Sequence, residues 1–593
     1  MVMYRRFLMI LAALCVVFAC SKDDITGSSN NTGADDSAGS TIDTDASDDY
    51  VANTTFAGTV TVTYSSSSAT VSIGSGLTAS EFSQSVSGAG VTITYSGTDN
   101  VIYKLTGTTS DGYFKLYSSK KQEILLDGVS ITNSNGAAIN NQSKKRTFVV
   151  LSGTNKLADG GSYSNTPSTE GEKAAFFSEG QLIFSGSGSL SVTASGKAGI
   201  TSDDYVRFLG GTIDVTTSSG HGVRGKDAII VTDGTIDVNV TSAATGKKGF
   251  SSDTLVYFAG GTTTITNAAS AGTVDGELTG CAGIKADKRF EIVGGTLNIT
   301  STGTGSKGIN CDNVGYFTGG TVNITVTGSN YGNSSNQGGG SGNGWGGGGN
   351  RPRSVDDGTK SSDTSISSKG LKFDGNIYFN GADVTVKCSN HEGIESKASI
   401  TVNGGSVYSY ASDDSINAAS TFTVNSGYVF GQSTGNDGMD ANGNFYIKGG
   451  VVYAVGTGSP EVGLDANTEG GYKLYIQGGT VIAVGGLEGG SSLSQGYVSA
   501  SVSSNTSYAV ESGSTVLAAF KTPSSLSVSN VAVSCPSMKN GSSYTFLSGA
   551  TVSGGTSYFG GLYTEGATAS GGSSSSLTAT TTSSGGMGGG GFR

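Results

Sequence analysis

Gly199-Ile200-Thr201-Ser202-Asp203-Asp204-Tyr205-Val206-Arg207-Phe208-Leu209-Gly210-Gly211-Thr212-Ile213-Asp214-Val215 decides the fold. A glycine and a large apolar residue open it. An alternating segment runs to a glycine pair, and the alternation then resumes. Period-two alternation is the mark of a strand, and paired glycines mark turns. The opening step recurs at Gly222-Val223, Gly249-Phe250, Gly283-Ile284, Gly308-Ile309, Gly370-Leu371, Gly393-Ile394, Gly438-Met439 and Gly463-Leu464, with Ser415-Ile416 filling one gap. Glycine turns follow at Gly260-Gly261, Gly294-Gly295, Gly319-Gly320, Gly404-Gly405 and Gly449-Gly450, and the last unit slips to Gly478-Gly479. The period is short: 222 − 199 is 23 and 463 − 438 is 25. That suits one coil of a parallel β-helix, whereas a propeller blade needs about 40 residues or more. Weaker coils are legible at Ala175-Phe176, Ala138-Ile139 and Gly112-Tyr113.

Composition agrees. Of 593 residues, 97 are Gly and only 5 are Pro, and the net charge is −12. Good helix formers are scarce, so an all-β chain is expected. Negative charge repels a phosphate backbone, which argues against nucleic acid as a partner. Two histidines exclude most multi-histidine chemistry. Cys281, Cys311, Cys388 and Cys535 show no CxxC spacing, so buried thiols or one incidental disulfide are expected.

The domain reading follows the composition. Residues 1–19 form a signal peptide: Tyr4-Arg5-Arg6 precedes an apolar run from Phe7 to Ala19 that is too short to span a bilayer. Residues 20–50 read as a disordered tether, 51–105 as an N-terminal β cap and 106–496 as the coil stack. The stack carries a Gly/Ser/Asn-rich disordered insertion at 329–366. A β segment at 497–565 and a Gly/Ser-rich tail at 566–593 complete the chain.

Stacking turns sequence columns into ladders about 4.8 Å per step. Two residues after each repeat glycine the chain reads Thr201, Arg224, Ser251, Lys285, Asn310 and Lys372, then Glu395, Asn417, Asp440 and Asp465. One edge of the stack is basic in its first half and acidic in its second. Adjacent carboxylates repel by roughly 1 kcal/mol even in water, and a hard cation between coils removes that cost. Glu392, Glu395, Asp413, Asp414, Asp437, Asp440 and Asp465 are therefore the candidate calcium ligands, with a merely solvated acidic edge as the alternative. A second column, Asp203, Asp253, Asp287, Asp312 and Asp374, is expected to cap turns through backbone amides.

Outward aromatic columns (Tyr257, Tyr316, Tyr378 and Tyr446; Tyr408, Phe430 and Tyr453, with Tyr410 nearby) suit the apolar faces of sugar rings. The alternative is a sheet face covered by other parts of the chain. Arg224, Lys248 and Lys285 are the basic residues expected to meet carboxylated sugars. No nucleophile motif, Cys–His pairing or phosphate loop stands out.

Several motifs in order resemble a known family. Asn135-Gly136-Ala137-Ala138-Ile139-Asn140, Leu151-Ser152-Gly153-Thr154-Asn155, Phe177-Ser178-Glu179-Gly180-Gln181-Leu182-Ile183-Phe184-Ser185-Gly186 and Gly199-Ile200-Thr201-Ser202-Asp203-Asp204-Tyr205 resemble the bacterial carbohydrate-binding domain-containing proteins, whose clostridial reference type binds cellulose and acidic sugars. The likeness covers about 100–490. It implies a right-handed parallel β-helix like that of pectate lyases, bound calcium, and attachment to plant-type polysaccharide. The family often places Asp before the repeat Gly-Ile. Here that position turns acidic only at Glu392, Asp414 and Asp437, which favours metal in the second half. Val17-Phe18-Ala19-Cys20 resembles a lipobox and implies acylation of Cys20. Ser21-Lys22-Asp23-Asp24 is similar to the surface-export signal of Bacteroidetes lipoproteins.

The expected molecule is thus a monomeric lipoprotein at the outer membrane or cell surface, meeting the membrane only through its lipid. It binds acidic or plant-type polysaccharide with calcium. A calcium-dependent polysaccharide lyase and a structural adhesin are the other readings the sequence leaves open.

Overall fold

The computed structural model describes residues 43–164, 166–332, 365–563 and 566–583. The signal peptide, Cys20, residues 21–42, Asn165, the insertion from 333 to 364, residues 564–565 and the end of the tail lie outside them. Among the described residues helix is limited to four 3-10 turns.

Each unit lays one short strand at its Gly-Ile step and one on either side of its glycine turn. Each strand pairs in parallel with its equivalent in the next unit. On one face the register runs Ile200, Val223, Phe250, Ile284, Ile309, Leu371, Ile394, Ile416, Met439. After the glycine turn it runs Ile213, Ile236, Thr263, Leu297, Val322, Val384, Val407. The chain is a parallel β-helix, and these inward columns are its core. Phenylalanines stack along the interior: Phe184 on Phe208 at 5.3 Å, Phe208 on Phe250 at 6.3 Å, Phe317 on Phe379 at 5.0 Å. Such pairs add about 0.5–1.5 kcal/mol beyond burial.

The repeat glycine is required by close approach. A Cβ on Gly199 would lie 2.2 Å from Val215 Cγ1 and 2.7 Å from the carbonyl of Gly222 in the next coil. The exception carries its own compensation. Ser415 replaces the glycine, and the residue sixteen further on (431 − 415), a valine or isoleucine in most coils, is Gly431. Ser415 Oγ donates to the Ser409 carbonyl at 2.7 Å, and Ser409 Oγ returns a bond to the Ser415 carbonyl at 2.7 Å.

The tether is shorter than its composition suggests. Residues 43–53 pack on the flank of the coils. Asp49 is fully buried there between Arg207 Nε and Arg146 Nε, each at 2.8 Å, and it accepts from Tyr205 Oη at 2.6 Å. The first coil also starts inside the expected cap, since Gly58–Ser66 already pairs in parallel with Val101–Thr109. Two antiparallel partners, Ser68–Ile73 and Phe82–Ser87, close that end.

At the other end Asn530–Ser534 runs antiparallel to Thr480–Val484 and Ser492–Ser501. A six-stranded antiparallel sheet follows. Its edge is Ser573–Thr578, paired with Ser543–Ser548. Much of the expected tail is therefore strand, because backbone pairing needs no apolar side chains when both faces stay wet. The insertion is likewise narrower than expected: Tyr331 and Ile366 bridge its two ends. All four described cysteines are buried and free.

Candidate functional site

The acidic residues form one continuous edge in the last coils. Register places Glu395, Asn417 and Asp440 side by side, and the bridges from Met439 to Leu464 and Leu464 to Leu487 extend the column to Asp465 and Glu488. Glu488 is a member the sequence reading missed, although Gly486-Leu487-Glu488 repeats Gly463-Leu464-Asp465. Asn417 Nδ2 donates to Asp414 Oδ2 at 2.8 Å and to Asp440 Oδ2 at 3.2 Å. The Asp437 N–H donates to Asp414 Oδ1 at 3.2 Å, and the Val462 N–H to Asp437 Oδ1 at 2.6 Å. Asn436 Nδ2 reaches Asp413 Oδ1 at 2.8 Å.

Burial and mutual repulsion make Asp414, Asp437, Asp440, Asp465 and Glu488 harder to ionise than ordinary carboxyls. Burial first, then the Asp413 charge, lifts Asp414 to about 7. Burial, with Asp414 and Asp465 beside it, lifts Asp437 to about 10. Asp440 rises to about 7, Asp465 to about 6 and Glu488 to about 7, in each case chiefly by burial. Asp465 lies within hydrogen-bonding distance of both Asp440 and Glu488. Among the described residues no lysine or arginine forms an ion pair with Asp414, Asp437, Asp440, Asp465 or Glu488. Buried carboxylates without a cationic partner are costly. Their all-oxygen donor set is what a hard divalent cation such as calcium takes, so these residues fit that ion. At the margin His391, Glu392 and Asp413 bring three ligand atoms within 4.8 Å of one another. His391 lies in a turn equivalent to that of His221 but five coils away, so the two histidines cannot cooperate, and its partners here are carboxylates instead.

Glu395 does not belong to this set. Lys369 Nζ lies 2.5 Å from Glu395 Oε2 and 3.4 Å from Glu392 Oε2, and Lys397 holds the other Glu395 oxygen. Burial pushes Glu395 up, but the two ammonium groups outweigh it and hold the carboxyl at about 2.

The first half neutralises itself. Arg224 meets both Asp253 oxygens at 2.9 Å, Lys285 pairs with Asp287 at 3.0 Å and with Asp312, and Lys372 meets Asp374 at 2.6 Å. The aspartate column thus serves as counter-charge to the basic column rather than as amide caps. Arg224 and Lys285 are accordingly committed to aspartates. Lys248 is mostly buried and donates to the Gly246 carbonyl at 2.9 Å.

The aromatic columns separate into four environments. Tyr378 stacks on Tyr316 at 5.2 Å and Tyr446 on Tyr475 at 4.9 Å. Thr401 and Thr423 intervene, so these are two pairs rather than one ladder. Tyr257 packs, partly buried, against the apolar cluster of Phe148, Ile183, Ala228, Ile230 and Leu255, on which Val51 and Phe56 of the N-terminal segment also pack. Tyr410 stays partly exposed on its strand. Phe430 and Tyr453 are buried beneath the C-terminal sheet, Tyr453 against Phe520 at 5.8 Å and Phe430 against Phe559 at 6.0 Å. Tyr408 joins them, 5.5 Å from Phe559. Phe430 and Tyr453 are core residues, and no glycan reaches them there.

No curated protein matches the chain. One solved structure similar to it is that of the polysaccharide lyase-like protein from C. thermocellum, a gadolinium derivative. It is 21% identical with a TM-score of 0.32, covering 45% of this chain and 96% of that one. Residues 87–415 match the family described as carbohydrate-binding domain-containing protein. That stretch is more than half of the chain, and the protein belongs to that family.

Proposed function

We propose that the protein binds acidic polysaccharide at the cell surface, anchored through Cys20, with calcium bound along the Asp414–Glu488 edge. Membership of a carbohydrate-binding family supports polysaccharide as the partner. The observation that carries the finer reading is the row of buried carboxyls with no cationic side chain to neutralise it. Asp414, Asp437, Asp440, Asp465 and Glu488 would hold the ions, and uronate carboxylates would complete the coordination from outside. The residues' own part is to fix oxygen donors at coil spacing and exclude competing ammonium groups.

Binding without cleavage is favoured by the position of the lysines. A lysine acting as base for β-elimination must stand unprotonated beside the bound uronate. Lys369 and Lys397, nearest the acidic edge, are both engaged in ion pairs with Glu395. Lys248 stands five coil steps from Asp414, through Ala282, Lys307, Lys369 and Glu392, or about 24 Å.

The test is polygalacturonate binding to the full chain with calcium and with a chelator. Binding is expected only with calcium, and D437N with D440N is expected to weaken it by about tenfold or more. Equal binding in chelator overturns the calcium reading. Sustained release of unsaturated uronate overturns binding without cleavage.

A further inference from the structure

The C-terminal sheet does not lie flat on the coils. Between them runs a cleft of about 1170 Å³, in the range of sites that enclose small ligands or somewhat larger. Its floor is the edge of the coil stack at Gly405, Gly427, Gly450 and Gly479. These glycines are explained by stacking: Gly427 has φ +89°, and a Cβ there would lie 2.8 Å from the Gly405 carbonyl. As a by-product the floor carries no side chains at its turns. Beside the turns Asp383, Ser406, Tyr428, Val451 and Thr480 stand in register. Four steps span about 19 Å, the length of a short oligosaccharide, and the rungs repeat at nearly the rise of an extended β-linked sugar chain.

The opposite wall comes from the C-terminal sheet. Tyr558 and Tyr563 flank the tip of the hairpin formed by Ser557–Tyr558 and Leu562–Tyr563, and both line the cleft. Tyr558 stacks on Tyr428 at 4.0 Å, so the hairpin and the coils close one side together. Phe559 at the tip has φ +54°, a conformation costly for a bulky residue and retained where the surroundings impose it. Here the imposition is its seat against Tyr408 and Phe430. Hydroxyls of Ser426, Thr515 and Ser537 complete the lining.

Charge decides the ligand class. Among the described lining residues no lysine or arginine appears, and the one carboxylate, Asp383, accepts from Ser406 Oγ at 2.5 Å. Aromatic edges, hydroxyls and bare backbone without cations suit an uncharged saccharide and offer nothing to a uronate. We infer that this cleft is a second glycan site, specific for a neutral β-linked chain, separate from the acidic edge and independent of calcium. Most of its lining lies beyond the family-matched residues 87–415, with Asp383, Gly404, Gly405 and Ser406 inside them. The inference rests on the carbohydrate-binding reading but not on calcium or acidic sugar.

The experiment titrates the full chain, in chelator, with neutral hexasaccharides of β-1,4-linked glucose, xylose and mannose, and separately with oligogalacturonate in calcium. At least one neutral hexasaccharide should bind in chelator. Tyr563→Ala should weaken it about tenfold, and Ser426→Trp, which fills the cleft from an exposed position, should abolish it. Both variants should keep the wild-type melting temperature and oligogalacturonate binding. Silence of all three neutral sugars, or their undiminished binding to Ser426→Trp, overturns the cleft site while oligogalacturonate binding leaves the acidic-edge reading standing. Loss of oligogalacturonate binding alone has the opposite meaning.

Discussion

Lys369 Nζ sits 2.5 Å from Glu395 Oε2, both side chains buried, where the basic half of the ladder meets the acidic half. Upstream, Arg224, Lys285 and Lys372 each have an aspartate beside them. Downstream, among the described residues no lysine or arginine pairs with Asp414, Asp437, Asp440, Asp465 or Glu488. The pair therefore separates a self-neutralised edge from one whose carboxyls have no lysine or arginine beside them among the described residues.

Removing one partner of a buried pair costs up to about 3–5 kcal/mol, toward the low end where a second cation stays, as Lys397 does on Glu395. Lys369→Met is expected to lower unfolding free energy by that order in denaturant titration, and Lys369→Met with Glu395→Gln to recover most of it. The pH dependence has a definite sign. Glu395 is held at about 2, below its ordinary 4.5, so the folded state binds fewer protons than the unfolded. Its stabilisation is complete above about 4.5 and is lost as pH falls from there toward about 2. In Glu395→Gln that component of the acid loss should disappear.

Lys248 behaves oppositely. Burial first, then the charges of Lys285, Lys247 and Lys307, pull its ammonium from 10.5 down to about 8. The unfolded chain binds that proton more tightly, so below about 8 the group destabilises the fold. Stability should rise as pH rises from about 8 to 10.5. Lys248→Met should accordingly gain up to about 3 kcal/mol near neutral pH, with the gain vanishing above 10.5. A variant less stable than wild type at neutral pH would show that the ammonium is needed where it lies.

The period and the Gly-Ile steps made the coils legible, because stacking forces Gly199 and its equivalents to be glycine whatever else changes. The acidic edge was legible for the same reason: one column of a strict register shows its charge in sequence. What covers an outward residue was not. Alternation places Phe430 and Tyr453 outside the coil, and only the later strands, folding back over them, make them core. The polar run before residue 50 likewise concealed Asp49, whose role depends on Arg146 and Arg207 far along the chain. Glu488 was readable but hidden by the slip to Gly478-Gly479 in the unit before it.

Tyr453 provides a direct check of that covering. Its hydroxyl donates to the Lys521 carbonyl at 3.0 Å, and the ring is fully buried. Tyr453→Phe should cost about 1 kcal/mol and Tyr453→Ala about 3–5 kcal/mol, with polygalacturonate affinity unchanged in the folded fraction of both. A loss of affinity in Tyr453→Phe with stability intact would return this residue to the glycan-facing surface.

Asp49 tests how firmly the segment after the tether is fastened. Three groups converge on it, Arg146, Arg207 and Tyr205, and Arg207 also donates from Nη2 to the Asp43 carbonyl at 2.6 Å. Arg207 is fully buried, so Asp49→Ala leaves a guanidinium in the protein interior with that single carbonyl. The expected cost is about 3 kcal/mol or more. Because residues 43–53 contribute few apolar contacts, the loss should appear first as local release. Hydrogen exchange at Tyr50–Thr54 should accelerate strongly while exchange in the central coils stays unchanged. Arg207→Met in the Asp49→Ala background removes the stranded charge and should restore global stability without restoring protection of 43–53. Recovery of both would mean that apolar packing of Val51 and Phe56, rather than the ion pairs, holds the segment down.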